Sequence, residues 1–185
     1  MDAPHSFLKP FRFLFSISAI RHNVPVHALW HDTQFFFNAN YVFSYEKEEN
    51  GDGFDNLIMR FDLVGSGGVY SNIEDLFLWD QNFYFNKLGK GGQEIVQKMH
   101  EEGLLNNGES SGYAFALNIR TYKGLKTVSH GGALAGYRAQ LMRFPEQNFS
   151  VIILSNRSDA NPTSKAYQVA DIFLRFGFCF TSNMY

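Results

Sequence analysis

Cysteine and clustered positive charge are both scarce in this chain. Cys179 is the single cysteine, which excludes an internal disulfide and a metal site built from several thiolates. The 16 Lys and Arg are scattered among 18 Asp and Glu, and the net charge at pH 7 is -2. Because a nucleic-acid-binding protein needs a concentrated basic surface, nucleic acid is not an expected partner.

Long apolar runs are missing too. Residues 11–20 form the one apolar stretch near the start, which is too short to cross a bilayer and is interrupted by Arg12 and two serines. An Ala-x-Ala-like cleavage site does not follow it. The sequence therefore predicts neither a transmembrane segment nor a signal peptide, and the compartment stays open.

Motifs for cofactors and metals are also absent. Residues 65–68, Gly-Ser-Gly-Gly, lack the Gly-Lys-Ser/Thr ending of a P-loop and the last glycine of a dinucleotide fingerprint, so a tight turn before a helix is the better interpretation. Among the six histidines, His22, His27 and His31 fall in a stretch without a period, and the motif His-Glu-x-x-His does not occur. No metal and no cofactor are predicted.

What is present suits one globular domain. The chain has 185 residues and is 45% hydrophobic, enough to bury a core. Residues 1–34 show no clear period, whereas regular patterns follow them. We therefore predict an atypical N-terminal segment over residues 1–34 and a domain portion over residues 35–185.

Helix signals occupy the middle of the chain. Ser71 or Asn72 is a candidate N-cap with acidic residues behind it, and an apolar stripe then runs towards Phe83 before glycines at 89–92 end the helix. A second helix is predicted over residues 93–102. The apolar positions of the second helix that are expected to face inward are Ile95, Val96 and Met99.

Strand signals follow, and then a last helix. Alternating and apolar runs predict consecutive antiparallel strands over residues 113–119, 126–129, 137–144 and 149–154. Asn161 and Pro162 mark the N-cap and first residue of a terminal helix whose apolar face should lie on the sheet. The predicted fold class is α+β, with helices packed on an antiparallel sheet.

The most informative stretch is residues 126–138, where His130-Gly131-Gly132 is predicted to form a turn between two strands. Glycines have no Cβ atom, so the main-chain N–H groups beside His130 can approach a ligand directly. A lone histidine is more often structural than catalytic. The neighbouring motifs change that interpretation.

The order of these motifs resembles the C-terminal portion of the β-lactamase-related serine hydrolases, a family of class C β-lactamases, low-molecular-weight penicillin-binding proteins, D-stereospecific peptidases and esterases. The resemblance covers residues 37–173. It is carried by residues 65–79, the Tyr113 hairpin, His130-Gly131-Gly132, Gly136-Tyr137-Arg138, Phe144-Pro145-Glu146 and residues 151–156. It implies a partial β-lactamase/transpeptidase-like fold, amide or ester hydrolysis through an acyl-serine intermediate, a small-molecule or peptide substrate and no cofactor.

The resemblance also implies site residues. His130-Gly131-Gly132 stands where the family has its third active-site motif, Lys-Thr-Gly or His-x-Gly, on an edge strand that lines the cleft. His130 would then contact the substrate or help to steer protons during acylation, Gly131 and Gly132 would bind substrate, and the backbone N–H of Ala133 would be an oxyanion-hole donor. One such donor is worth about 2.7 to 4 kcal/mol of transition-state stabilisation.

The family's nucleophile motif is not found in its expected setting. Ser6-Phe7-Leu8-Lys9 matches Ser-x-x-Lys, but Pro10 follows it where the family has a buried helix. Tyr70-Ser71-Asn72 and Tyr84-Phe85-Asn86 match Tyr-x-Asn as strings, but they lie at or behind the helix cap. The expectation is a hydrolase fragment that is inactive alone.

Two alternatives stay open: a non-catalytic binding or partner module that retains the fold, and a hydrolase completed by a separate chain that carries Ser-x-x-Lys. Surface that packs against the rest of a complete family member would be exposed here, which favours self-association or a partner chain. The resemblance allows a periplasmic or secreted location.

Overall fold

The computed structural model describes residues 14–18 as backbone, and residues 42–58, 67–87 and 90–177, with side chains to residue 174. Most of the predicted segment 1–34 lies outside these ranges. So do Ser6 to Lys9, the histidines at 22, 27 and 31, the first half of the glycine turn at 65–68, and Cys179.

Helices and strands alternate in the order of an α+β protein. The described helices are α1 (Ile73–Asn82), α2 (Gly92–Met99) and α3 (Pro162–Gly177), with a 3₁₀ turn at Pro145–Gln147. The described strands are β1 (Leu14–Ser18), β2 (Tyr45–Lys47), β3 (Phe54–Asn56), β4 (Tyr113–Ala114), β5 (Leu117–Tyr122), β6 (Leu125–Leu134), β7 (Tyr137–Phe144) and β8 (Phe149–Ser155). None of the described helices is long and apolar enough to cross a membrane.

One six-stranded sheet organises these elements, in the order β1-β8-β7-β6-β5-β4. The strands from β4 to β8 are consecutive and antiparallel, as predicted, whereas β1 adds to β8 in parallel. Strands β2 and β3 form a separate antiparallel ribbon. Helices packed on an antiparallel sheet confirm the predicted α+β class.

Both faces of the sheet are covered by helices. Helix α3 lies on one face, where Ala166, Ala170 and Leu174 pack into a core that β7 and β8 supply with Met142, Phe144, Phe149, Val151 and Ile153. On the other face, Phe83, the residue after α1, and Val96 of α2 pack against Leu117, Ile119 and Val128. Side chains alternate along each strand, so β6 contributes to both cores, with Leu125 on one face and Val128 on the other.

The helix caps follow the sequence closely. The Asn72 side chain accepts a hydrogen bond from the Asp75 N–H at 2.8 Å, and the Asn161 side chain accepts one from the Ser164 N–H at 2.9 Å. Each satisfies an amide that has no partner within its helix. The predicted N-caps are confirmed.

Helix ends were predicted less well. Helix α1 stops at Asn82, before the glycines, because the N–H groups of Phe83 and Tyr84 bond to carbonyls three residues back and tighten the chain into a turn. Helix α2 ends at Met99 rather than residue 102, and Ile95 is exposed instead of inward. In an eight-residue helix, Val96 alone is fully buried.

The predicted strand over residues 113–119 is two strands. Phe115 and Ala116 form a turn between β4 and β5, with Ala116 at a φ of 55°. Leu117 and Ile119 are buried as expected, but Tyr113 and Phe115 are exposed. The alternating pattern continues through the turn, so periodicity alone does not reveal the break.

An ion pair is buried between α1 and the sheet. Nε of Arg143 on β7 lies 2.7 Å from Oδ1 of Asp80, and each side chain is only 2% exposed. The guanidinium also lies over the Phe83 ring, 4.2 Å from its centroid. A buried charge is tolerated when it is paired, so this contact selects one position of α1 on the sheet.

Asp80→Asn should lower the free energy of unfolding by about 3 to 5 kcal/mol, because it leaves the Arg143 charge buried without its partner. Urea denaturation followed by far-UV circular dichroism measures the loss. Asp159→Asn is the matched control, since Asp159 pairs with Arg157 in the open and should leave the midpoint unchanged. Equal midpoints for both variants would show that the buried pair does not matter.

His100 makes stability depend on pH. Burial, together with the positive charges of Arg143 and Lys126, lowers its pKa from 6.5 to about 4. Between these values the unfolded chain binds a proton that the folded protein does not, so stability should fall as the pH drops from 6.5 towards 4. His100→Phe, which preserves the stack on Phe83, should flatten this dependence in urea titrations. Identical pH dependences of the wild-type protein and His100→Phe would contradict this role of His100.

Candidate active-site strand

The His130-Gly131-Gly132 segment lies inside β6, not in a turn. Its residues pair in register with β7, from His130 opposite Leu141 to Leu134 opposite Tyr137. Neither glycine has a positive φ; the turn follows at Ala135 and Gly136, with Ala135 at 49°. The turn prediction was wrong because β7 is long enough to pair with β6 through both glycines.

Strand β6 changes from interior strand to edge strand along its length. Its ladder with β5 ends at the pair of Asn118 and Ser129. Beyond Ser129, residues 130–134 pair with β7 alone among the parts of the chain that the structure describes. The side chain of His130 and the backbone of the next three residues are exposed there.

The register determines which amides face this open edge. Leu134 and Tyr137 close a two-residue hairpin, so their N–H and C=O groups bond to each other. Backbone direction alternates along a strand, which turns Gly132 and His130 towards β7 and turns Gly131 and Ala133 away from it. The amides of Gly131 and Ala133 therefore point to the open edge.

The imidazole of His130 has one described hydrogen-bond neighbour. Nε2 lies 3.2 Å from the hydroxyl of Tyr113, and the two ring centroids are 6.3 Å apart. From the sequence, Tyr113 was assigned to a strand pattern and to a hairpin that carries the family resemblance, but not to the candidate site. No spacing rule connects residues 113 and 130, since they meet only when β4 pairs with β5 and β5 pairs with β6.

The two glycines have different surroundings. A Cβ atom on Gly131 would lie 3.1 Å from Oε1 of Gln140 and 3.3 Å from the Ala139 carbonyl oxygen, whereas one on Gly132 would make an ordinary contact of 3.6 Å with the Ala139 Cβ. Gln140 is buried, and its Oε1 accepts a hydrogen bond of 2.7 Å from Thr163 of α3. Gly131 thus has less room for a side chain than Gly132.

The turn beyond the glycines holds the segment before β2. The Gly136 N–H donates to the Ser44 hydroxyl at 3.2 Å, and the Tyr137 hydroxyl donates to the Val42 carbonyl at 2.5 Å. The N–H of Tyr45 bonds to the Asn156 carbonyl at 2.8 Å, which joins the ribbon to the end of β8. This contact needs glycine at 136, where a Cβ would lie 2.5 Å from the Tyr45 carbonyl oxygen.

The asparagines of the two Tyr-x-Asn strings have structural contacts. Asn72 caps α1, and Asn86 donates through its side chain to the Gly92 carbonyl. Tyr70 packs edge-on against Tyr137, and Tyr84 lies against the Arg143 guanidinium, 4.8 Å from it. Within the described ranges, no three His, Cys, Asp or Glu side chains are grouped to hold a metal ion.

The fold is shared with a solved structure. The octameric penicillin-binding protein homologue from Pyrococcus abyssi aligns with a TM-score of 0.64 and 21% sequence identity, over 74% of this chain and 31% of that one. This likeness places the sheet and its helices in a β-lactamase-like fold.

Sequence comparison identifies the family. The Beta-lactamase family model matches residues 22–173, and the chain belongs to this family of serine hydrolases. D-aminopeptidases of Brucella ovis and Brucella anthropi are each 24% identical to it, over 104 and 122 residues, which is 56% and 66% of this chain. The chain spans only 20% and 23% of their lengths. The family predicted from the motif order is confirmed.

Gly136→Ala should destabilise the protein by about 1 to 3 kcal/mol, because the added methyl group overlaps the Tyr45 backbone, which cannot move without breaking its bonds to residues 156 and 158. Urea denaturation compares it with Gly132→Ala, whose methyl group meets Ala139 at normal contact distance. If both variants unfold at the same urea concentration, the close approach at residue 136 is not rigid.

Proposed function

We propose that this chain carries the substrate-side strand of an acyl-serine hydrolase that, in complete form, cleaves amide or ester bonds. His130 contacts the substrate or steers protons during acylation, Gly131 and Gly132 line the substrate, and the Ala133 N–H donates to the oxyanion. The observation that carries this proposal is the open edge of β6, where the register turns the Gly131 and Ala133 amides outward beside an exposed imidazole.

The chemistry of an open strand edge supports it. Unpaired N–H and C=O groups on an edge can bond to an extended peptide-like substrate as an added strand would. A backbone N–H held in a ladder is a rigid donor, and rigid donors stabilise the negative charge that develops on a carbonyl oxygen during acyl transfer. The D-aminopeptidase names of the relatives favour an amide substrate.

The isolated chain is proposed to be inactive. Ser6-Phe7-Leu8-Lys9 is followed by Pro10, which disfavours the helix that holds the nucleophile in the family. Asn72 caps α1 and the Asn86 side chain donates to the Gly92 carbonyl, which supports structural roles for these two asparagines. Loss of a general base alone lowers a rate by about 10² to 10⁴-fold. We also propose that the chain consists of an atypical segment, residues 1–34, and a partial domain, residues 35–185.

A second candidate function is that of a binding or partner module. Several large apolar side chains of the described surface are exposed, among them Val69, Leu78, Leu104 and Phe115. Exposed apolar surface favours association with another copy or with a separate chain that carries Ser-x-x-Lys. Co-purification with such a chain, together with hydrolysis that neither chain performs alone, would identify a hydrolase assembled from two polypeptides.

Incubation with a fluorophosphonate, and separately with a penicillin, tests the proposed inactivity. Intact-mass spectrometry should show the unmodified mass of the chain, because no activated serine is available to form an acyl or phosphonyl ester. A class C β-lactamase treated in parallel is the positive control. A stable adduct that disappears in Ser6→Ala would show instead that this chain has its own nucleophile.

A further inference from the structure

Tyr113 lies beside the proposed substrate strand, on β4. It begins β4 opposite Asn118, which in turn lies opposite Ser129 of β6. These three residues form the last row in which β6 has a strand on that side within the described part of the chain. The Tyr113 hydroxyl reaches the imidazole of the next residue, His130, at 3.2 Å.

The backbone of Tyr113 is held in place by the loop before it. Its carbonyl accepts hydrogen bonds from the Gly103 N–H at 2.9 Å and from the Ser111 hydroxyl at 3.0 Å. Arg120 donates to the Gly112 carbonyl at 2.8 Å, which anchors the preceding residue to β5. A side chain on so constrained a backbone can hold a neighbouring ring in one orientation.

The chemistry of the two groups sets the direction of this hydrogen bond. A neutral imidazole has one N–H donor and one acceptor nitrogen, and a phenol is an acidic hydroxyl that donates readily. When the phenol donates to Nε2, the proton of the neutral ring resides on Nδ1. Within the described residues, Nδ1 of His130 has no hydrogen-bond partner, so it is available to a ligand.

We propose that Tyr113 is a positioning residue that holds the neutral His130 ring with its proton on Nδ1. The ring then presents an N–H donor to the substrate, while its acceptor nitrogen is occupied by the phenol. This inference rests on the proposed function of His130 and specifies it: the imidazole polarises or orients a substrate oxygen instead of accepting a proton through Nε2.

Nitrogen NMR of the ¹⁵N-histidine-labelled chain tests the proposal, at a pH where the imidazole is neutral. His130→Asn identifies the resonances of residue 130 by their loss. Wild-type protein should show the Nδ1–H tautomer in excess. Tyr113→Phe, which retains the ring and loses the hydroxyl, should shift the tautomer ratio towards Nε2–H by about threefold to tenfold, the effect expected for loss of one partly exposed hydrogen bond.

Tyr122→Phe is the matched control. Its hydroxyl donates to Asp171 at 2.8 Å, at the far end of the same hairpin, and its loss should leave the His130 tautomer unchanged. A wild-type ring with its proton mainly on Nε2 would overturn the proposal without any variant, so it stays testable even if Tyr113→Phe folds poorly. An unchanged ratio in folded Tyr113→Phe would overturn it equally.

The tautomer is read without substrate, so this test is independent of the proposed hydrolase role. If the tautomer ratio does not depend on Tyr113, the positioning role is wrong, but the proposed substrate contact of His130 is unaffected. An adduct on Ser6 would contradict the proposed inactivity of the isolated chain without affecting the tautomer result.

Discussion

The register between β6 and β7 links the buried core to the candidate site. Val128 and Arg143 are buried opposite each other in this ladder, and five residues further along it Ala133 lies opposite Arg138. Side chains alternate faces with a period of two, so a slip of one residue would move Val128 out of its core and reverse every backbone amide of the site. The core therefore determines which amides reach the open edge.

Contacts at both ends of the ladder preserve that register. Asp80 binds Arg143 where β7 is buried, which joins α1 to the sheet through a charge pair that is costly to break. At the opposite end, Gly136 leaves room for the Tyr45 backbone to approach closely. The Tyr45 N–H of the β2–β3 ribbon donates to the carbonyl of Asn156, just after β8. The strand proposed to face substrate lies between these two fixed points.

The sequence predicted local features well. Asn72 and Asn161 act as caps as their side chains suggested, and the apolar runs of β7 and β8 became strands. The errors arose where neighbours in space decide the outcome. His130-Gly131-Gly132 looks like a turn by composition, but pairing with β7 keeps it extended, and Tyr113 reaches His130 only through the pairing of three strands.

Consecutive residues were enough to predict the family, the succession of helices, sheet and last helix after residue 72, and the residue types at the candidate site, because motifs and caps are local features of a sequence. Pairing between distant strands, in contrast, makes β6 interior up to Ser129 and an edge strand beyond it among the described residues, and brings Tyr113 next to His130. A strand is an edge only where no other strand pairs with it. Strand β5 starts at Leu117, directly after the turn at residue 116, so it cannot pair with β6 beyond Ser129.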